Sequence, residues 1–139
     1  MRFNENVKEF VGETASEAAW NAEDGKDLLV KDAIFIRDKG HLTKVRYQSI
    51  LYLKGDGNYT TLVTSSKSYS LRNILKDFEE VLPSKYFLRI HKSFIVNIHE
   101  INTISSKEVT VGKEKVPVGR TYYPILINSI QKLGSSGFD

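Results

Sequence analysis

The chain has 139 residues, of which 40% are hydrophobic and none is cysteine. That length suits one compact domain with an extension, and that hydrophobic content is enough to build a core, which excludes wholesale disorder. The lack of cysteine excludes disulfides and thiolate chemistry. The sequence has neither an apolar run of the ~20 residues that a membrane-spanning helix needs nor a recognisable signal sequence. We therefore expect a cytoplasmic protein with no membrane partner.

Charge is distributed unevenly along the chain. Residues 1–33 carry 4 Lys or Arg and 8 Asp or Glu, a net of −4, whereas residues 34–139 carry 16 and 9, a net of +7. A basic segment of this size is compatible with a polyanionic partner such as nucleic acid, and equally with an ordinary solvated surface. Charge alone does not decide between these two interpretations.

Residues 1–22 have the pattern of an amphipathic helix. Apolar side chains such as Phe3, Val7 and Phe10 recur at spacings of three and four, and glutamates recur at every fourth position from Glu5. A helix of this kind needs a partner surface for its apolar face, because it cannot bury that face alone. We expect residues 1–32 to be a helical extension or linker that dimerises or binds a sensor.

Beyond this segment the helical period gives way to short extended runs separated by turns. The turns at residues 38–41 and 55–58 contain glycine, and we expect Gly40 to need a positive φ. Strands are predicted over residues 34–37, 42–47, 49–54, 59–64, 67–70, 87–90, 101–104, 108–111 and 115–118. The composition of these runs predicts a mainly β domain over residues 33–133, with a C-terminal tail over residues 134–139.

Little helix is predicted inside the domain. Residues 71–81 have a helical apolar stripe, with Ser70 as the expected N-cap and Pro83 as the stop. Residues 120–131 partly fit a second helix, in which Pro124 is tolerated near the first turn. Residues 93–97 are compatible with either a strand or a helical turn.

The sequence lacks the motifs of an enzyme or a metal site. Gly55-x-Gly57 has no third glycine and leads into a strand, so it is a turn and not a nucleotide-binding loop. His91 and His99 are eight positions apart, which is not the spacing of metal ligands. Ser93 lies near His91, but no third orienting residue accompanies them. We predict no catalytic residue, no cofactor and no metal.

Residues 87–97 interleave basic and apolar side chains. If the apolar ones anchor this segment in the core, Arg89, His91 and Lys92 are held outward in a fixed geometry that suits phosphate and base-edge contacts. The alternative is a buried strand whose charges are simply solvated. In that case Asn97 closes a turn through contacts with neighbouring backbone.

Three segments, in this order and at plausible spacing, resemble the LytTR-type DNA-binding domain, a common output module of bacterial response regulators. They are residues 50–59, which end in Gly-Asn-Tyr, residues 87–97, which read Phe-x-Arg-x-His-Lys-Ser-Phe-x-Val-Asn, and residues 116–120, which read Val-Pro-Val-Gly-Arg. The resemblance extends over about residues 33–130. It implies small antiparallel β-sheets packed together, with DNA gripped by loops and not by a recognition helix.

The resemblance also implies site residues. The DNA-binding residues carried over are Asn58, His91, Lys92, Ser93 and Arg120, and the supporting residues are Arg89, Tyr59 and Asn97. Asn58 is expected to reach a base or phosphate through its amide, Lys92 a phosphate or guanine edge, and Arg120 a guanine or phosphate. Tyr59 is expected to pack and not to touch DNA.

Some positions depart from the family pattern. Lys54 stands where the family often has Glu, and Gly119 stands where Ser is frequent. Residues 122–124 are Tyr-Tyr-Pro in place of a commonly basic stretch, which is expected to weaken phosphate contacts there. These departures leave the expected fold intact but make the target sequence less predictable.

The resulting hypothesis is a sequence-specific regulator of transcription that binds double-stranded promoter DNA. The resemblance implies paired repeats as the target, a homodimer on that DNA, and an upstream receiver domain or a sensor protein as the source of regulation. One alternative is a β-module that binds a protein partner. Another is a binder of single-stranded nucleic acid, which needs exposed stacking aromatics among Tyr47, Tyr59 and Tyr69.

Overall fold

Ten strands and two short helices form a mainly β fold within residues 28–134, the part of the chain that the computed structural model describes. The strands are β1 (Ala33–Asp38), β2 (His41–Arg46), β3 (Ile50–Asp56), β4 (Tyr59–Thr64), β5 (Ser68–Leu71), β6 (Phe87–His91), β7 (Phe94–Asn97), β8 (Ile101–Ile104), β9 (Glu108–Val111) and β10 (Glu114–Pro117). The helices are α1 (Leu75–Val81) and α2 (Tyr123–Asn128). The helix predicted over residues 1–22 lies outside the described residues.

All strand pairs are antiparallel and belong to three sheets. The largest sheet has five strands in the order β5-β4-β3-β7-β6, a second has the order β10-β9-β8, and β1 pairs with β2. The prediction of small antiparallel sheets with one or two short helices is therefore confirmed. No helix among the described residues has the length and apolarity needed to cross a bilayer.

Two hydrophobic clusters cover opposite faces of the five-stranded sheet. On one face α1 and the β1–β2 hairpin pack over the sheet through Ile36, Val45, Leu53, Leu62, Leu75, Phe78 and Ile95. On the other face the three-stranded sheet and α2 pack against β3, β6 and β7 through Ile90, Val96, Val109, Val111, Val116 and Leu126. Because β3 and β7 contribute to both clusters, the middle of the sheet is buried on both sides.

The segment that fitted either a strand or a helical turn is a strand. Ile95 belongs to one cluster and the adjacent Val96 to the other, as expected where successive side chains point to opposite faces of a sheet. Lys54 of β3 lies opposite Phe94, and this pairing fixes the position of β7 in the sheet. Burial on both faces accounts for the run of apolar residues, which periodicity alone could not assign.

The prediction that Ser70 caps a helix is wrong. Ser70 lies in β5, where it pairs with Thr61, and α1 begins five residues later at Leu75, after Ile74 as its N-cap and with no side-chain cap. The backbone of residues 68–71 is hydrogen-bonded in the β4 ladder, so it is not available to a helix. The hydroxyl of Thr60 donates a 2.7 Å hydrogen bond to the carbonyl oxygen of Asn73, which holds the connection between β5 and α1.

Other turn predictions are confirmed. Gly40 has a φ of +85° in the β1–β2 turn, a conformation in which a glycine has no steric cost. Helix α1 ends at Val81, before Pro83, and Pro124 lies in the first turn of α2.

Candidate nucleic-acid interface

The β3–β4 turn and the β6–β7 turn lie side by side at one end of the five-stranded sheet. Gly57 and Asn58 form the first turn, with Gly57 at a φ of +63°, and Lys92 and Ser93 form the second. The backbone N–H of Gly55 donates a 2.8 Å hydrogen bond to the carbonyl oxygen of Ser93. This bond holds the two turns together, because Gly55 lies just before the first turn and Ser93 belongs to the second.

The segment that precedes α2 reaches the same end of the sheet through a bulge in β6. Pairing between β6 and β7 shifts register between Arg89 and His91, so Ile90 has no partner on β7. A residue at a bulge leaves the ladder, and the carbonyl oxygen of Ile90 instead accepts a 2.7 Å hydrogen bond from the N–H of Gly119. Arg120 is the next residue after Gly119, so this hydrogen bond to Ile90 places Arg120 beside β6.

Five of the predicted site residues thus meet at one end of the sheet. We call this region the loop surface and define it by Asn58, His91, Lys92, Ser93 and Arg120. Asn58, Lys92 and Arg120, which the resemblance assigns to base or phosphate contacts, are all exposed. Within residues 28–134 no hydrogen bond or ion pair engages their side chains. An amide, an ammonium and a guanidinium are consequently available to an external partner.

His91 and Ser93 are partly buried at the base of this surface. The Nδ1 atom of His91 accepts a 3.0 Å hydrogen bond from the backbone N–H of Ser93. The neutral imidazole in that arrangement carries its hydrogen on Nε2, which is a donor. The ring lies edge-on to Phe94 with 5.5 Å between ring centroids, so a turn hydrogen bond and an aromatic contact both restrict its orientation.

Arg89 supports the turn from the side. Its Nη1 lies 2.9 Å from Oε1 of Glu79 on α1, its Nε donates to the carbonyl oxygen of His91 at 3.3 Å, and its Nη2 donates to the carbonyl oxygen of Lys92. The guanidinium is therefore engaged inside the protein. The supporting role of Arg89 at a DNA-binding site stays a prediction.

The other two supporting residues lie in contrasting environments. Tyr59, which was expected to pack, is 49% exposed next to Asn58, so its ring is open to a partner. Asn97 is fully buried and lies at the opposite end of β7 from the loop surface. Its Nδ2 donates to the carbonyl oxygens of Tyr47 and Ile50 at 3.1 and 3.0 Å, and its Oδ1 accepts the N–H of His99 at 3.0 Å. Asn97 thus closes a turn and links β7 to the start of β3.

Two lysines near the loop surface were not among the predicted site residues. Lys54 is exposed and directly precedes Gly55, in the strand that leads to Asn58. The carbonyl oxygen of Lys107 accepts a 2.9 Å hydrogen bond from the N–H of Val118, which places this exposed lysine close to the Arg120 segment. Lys107 is outside all three segments of the family pattern, and only the pairing of β9 with β10 brings it here.

Gly119 shows why one departure from the family pattern is accommodated. A Cβ atom at this position would lie 2.9 Å from Cδ2 of Tyr122 and 3.6 Å from Cα of His91. The Tyr122 ring occupies the space that a serine side chain would need. The position of the Tyr122 ring therefore depends on the absence of a side chain at Gly119.

Tyr52, which pairs with Val96 in the five-stranded sheet, has a pKa above its usual value. Burial raises the pKa of Tyr52, and the nearby carboxylate of Glu114 raises it further. Tyr52 packs against Phe94 with 6.1 Å between ring centroids. Its phenol stays neutral well beyond physiological pH and acts here as a packing group. The described residues contain no cluster of His, Asp and Glu that could hold a metal ion.

Comparison with known proteins gives consistent relatives. NatR, a transcriptional regulatory protein of Bacillus subtilis, is 30% identical over 104 residues, which cover 65% of this chain and 45% of NatR. LytT, a sensory transduction protein of Bacillus cereus, is 36% identical over 84 residues, which cover 56% of this chain and 34% of LytT. The heme-containing CO-sensing transcriptional regulator RcoM 1 of Paraburkholderia xenovorans is 37% identical over 90 residues, or 60% of this chain and 34% of RcoM 1. The matches span less than half the length of each relative.

The fold also has a solved counterpart. The LytTr DNA-binding domain of a Bacillus cereus response regulator superposes with a TM-score of 0.63, covering 71% of this chain and 96% of that domain at 24% identity. The model of the LytTr DNA-binding domain family matches residues 40–131, which include the loop surface. The resemblance seen in the sequence is confirmed, and the chain belongs to the LytTr DNA-binding domain family.

Proposed function

We propose that this domain binds double-stranded DNA in a sequence-specific manner and regulates transcription. The observation that carries the proposal is the meeting of Asn58, Lys92 and Arg120 at one end of one sheet, all exposed and without partners in the described structure. Membership of a DNA-binding family and relatives that are named transcriptional regulators support it. The proposal includes no catalytic step.

Each residue of the loop surface has chemistry that suits duplex DNA. Lys92 supplies a point charge for a phosphate, Arg120 a fork that matches the O6 and N7 acceptors of guanine, and Asn58 an amide that matches adenine. His91 and Ser93 are proposed to donate to backbone phosphates. Residues 34–139 carry a net charge of +7, from 16 Lys or Arg against 9 Asp or Glu, which favours a polyanion.

The exposure of the aromatic residues favours duplex DNA over single strands. Tyr47 is buried, Tyr69 is partly buried against the core, and Tyr59 is exposed at 49%. Binding of single strands relies on several stacking aromatics along a basic groove. Of these three tyrosines only Tyr59, next to Asn58 of the loop surface, offers such an exposed ring.

The finer parts of the proposal concern context. We propose that the target is a pair of repeats in a promoter, occupied by two copies of the chain. Because the matched relatives are more than twice as long as the aligned segments, control by a receiver domain or by a separate sensor protein is part of the proposal. A cytoplasmic location follows from this function.

Selection of bound duplexes from a random pool, at low and at physiological salt, tests the proposal. A sequence-specific regulator enriches a defined motif at both salt concentrations, and repeat spacing in the enriched sequences reveals the number of copies bound. Affinity for the enriched duplex should fall steeply with salt, because most of the contacts are to phosphates. Failure to enrich any motif, together with salt-insensitive binding to a protein, would instead favour a protein-binding β-module.

A further inference from the structure

Helix α1 is linked to the β6–β7 turn by the Glu79–Arg89 ion pair. We propose that this pair holds the turn in the conformation that presents Lys92 to DNA, which makes Glu79 and Arg89 positioning residues and not contact residues. The inference rests on the proposed function and adds to it an acidic residue that DNA binding requires.

The contacts of Arg89 fix two consecutive peptide groups of the turn. The guanidinium donates to the carbonyl oxygens of His91 and Lys92, which belong to the two peptide groups on either side of the Lys92 α-carbon. Holding both carbonyls restricts the backbone dihedral angles of Lys92, and these angles set the direction in which its side chain leaves the turn. The side chain of Lys92 has no partner of its own within the described residues, so the backbone of the turn is what restricts the direction of its Cα–Cβ bond.

Glu79 holds the guanidinium in place. Its Oε1 lies 2.9 Å from Nη1 of Arg89, and the Arg89 side chain is 21% exposed, compared with 46% for that of Glu79. Helix α1 is a firm platform for this carboxylate because Leu75 and Phe78 are buried in the core. Three of the five N–H donors of Arg89 are already used within the protein, which favours a positioning role over a phosphate contact.

This arrangement predicts an effect of unusual sign. Removing a negative charge near a DNA-binding surface normally strengthens binding, because it reduces repulsion of the phosphates. Removing the charge of Glu79 should weaken binding, since it releases Arg89 and loosens the turn. Glu80 is the matched control, because it is exposed on the same helix and no ion pair engages it in the described part of the chain.

The experiment compares Glu79→Gln with Glu80→Gln in the full 139-residue chain. Fluorescence anisotropy measures affinity for the duplex enriched by the selection and for a scrambled duplex of the same composition. We expect Glu79→Gln to lose about two- to fivefold in affinity for the selected duplex and Glu80→Gln to bind as tightly as wild type or more tightly. Thermal melting of both variants verifies that they are folded.

Two further readouts separate positioning from general loosening. If Lys92 contacts a phosphate, Glu79→Gln should reduce the slope of log affinity against log salt by about 0.9, as Lys92→Ala does. In a Lys92→Ala background Glu79→Gln should have no additional effect, because the two changes act on the same contact. Arg89→Lys keeps the charge but lacks the planar guanidinium that donates to both carbonyl oxygens. We therefore expect this variant to bind the selected duplex less tightly than wild type does.

The outcomes distinguish this inference from the proposed function. Wild-type chain that binds no selected duplex would overturn the proposed function, and the inference with it. Wild-type chain that binds as proposed, with Glu79→Gln and Glu80→Gln indistinguishable, would overturn the positioning role alone. Additive losses from Glu79→Gln and Lys92→Ala would also overturn it.

Discussion

The backbone N–H of Gly55 donates a 2.8 Å hydrogen bond to the carbonyl oxygen of Ser93, although 38 positions separate the two residues. This bond lies where β3 and β7 approach their turns, so it sets the turn that carries Asn58 beside the turn that carries Lys92. The corresponding bond from Gly119 to Ile90 sets Arg120 beside them. Two backbone hydrogen bonds therefore assemble the loop surface from three distant segments.

Replacing Lys92 or Arg120 with alanine should weaken binding to the selected duplex by about 1–3 kcal/mol each, if each side chain makes a good base or phosphate contact. A gel-shift titration measures this loss. Lys113→Ala is the control, because Lys113 is exposed in the β9–β10 turn, at the far end of β10 from Gly119. Equal affinities for the three variants would contradict the assignment of the loop surface.

Asn58→Asp should weaken DNA binding more than Asn58→Ala, because it adds a negative charge where phosphates approach. Stability should change by less than about 0.5 kcal/mol, since the side chain is exposed and makes no internal hydrogen bond in the described structure. The control is Ser65→Asp, which adds the same charge in the β4–β5 turn at the other end of the sheet. Similar effects of the two charges would show that Asn58 does not face DNA.

Asn97→Ala should destabilise the domain by about 2–4 kcal/mol. It leaves the carbonyl oxygens of Tyr47 and Ile50 and the N–H of His99 without their partners in a buried site. Urea unfolding measures the free-energy change. Asn102→Ala removes a single exposed hydrogen bond to Gly112 and should cost less than about 1 kcal/mol. A small effect at Asn97 would refute its role in linking β7 to β3.

Gly119→Ala should weaken DNA binding, because the new methyl group would lie 2.9 Å from the Tyr122 ring and force a shift next to Arg120. Overpacking of this kind typically lowers the free energy of unfolding by about 1–3 kcal/mol. Shortening the tyrosine in Gly119→Ala/Tyr122→Ala makes room for the methyl group and should recover part of the lost affinity. Affinity that stays low in the double variant would indicate that Gly119 matters for another reason.

Several features of the site were predictable from local sequence. The Gly-Asn turn before Tyr59 and the strand at residues 59–64 follow from turn chemistry and from β-forming residues, which are properties of short segments. The loop positions of Lys92 and Arg120 were implied only by the family pattern, because local sequence predicted no turn at either residue. The family pattern then indicated which turns belong to one site.

Other features depended on contacts between distant segments. The bulge at Ile90 and the hydrogen bond from Gly119 to its carbonyl oxygen depend on the register of β6 against β7. No local pattern specifies this register. The expected start of α1 at Ser70 is wrong for a related reason. The backbone of residues 68–71 pairs with β4, and local helix propensity does not take this pairing into account.

The sequence by itself determined that residues 33–133 form a cysteine-free, mainly β domain with basic residues. Composition, alternation and turn residues are properties of short segments and can be recognised without knowledge of tertiary contacts. Only the tertiary structure decided that the turns meet at one end of one sheet, and that Arg89 is engaged internally while no partner within residues 28–134 engages the Lys92 side chain. The physical reason is burial on both faces of the five-stranded sheet. That burial fixes strand order and register, and these bring together side chains that are distant in the chain.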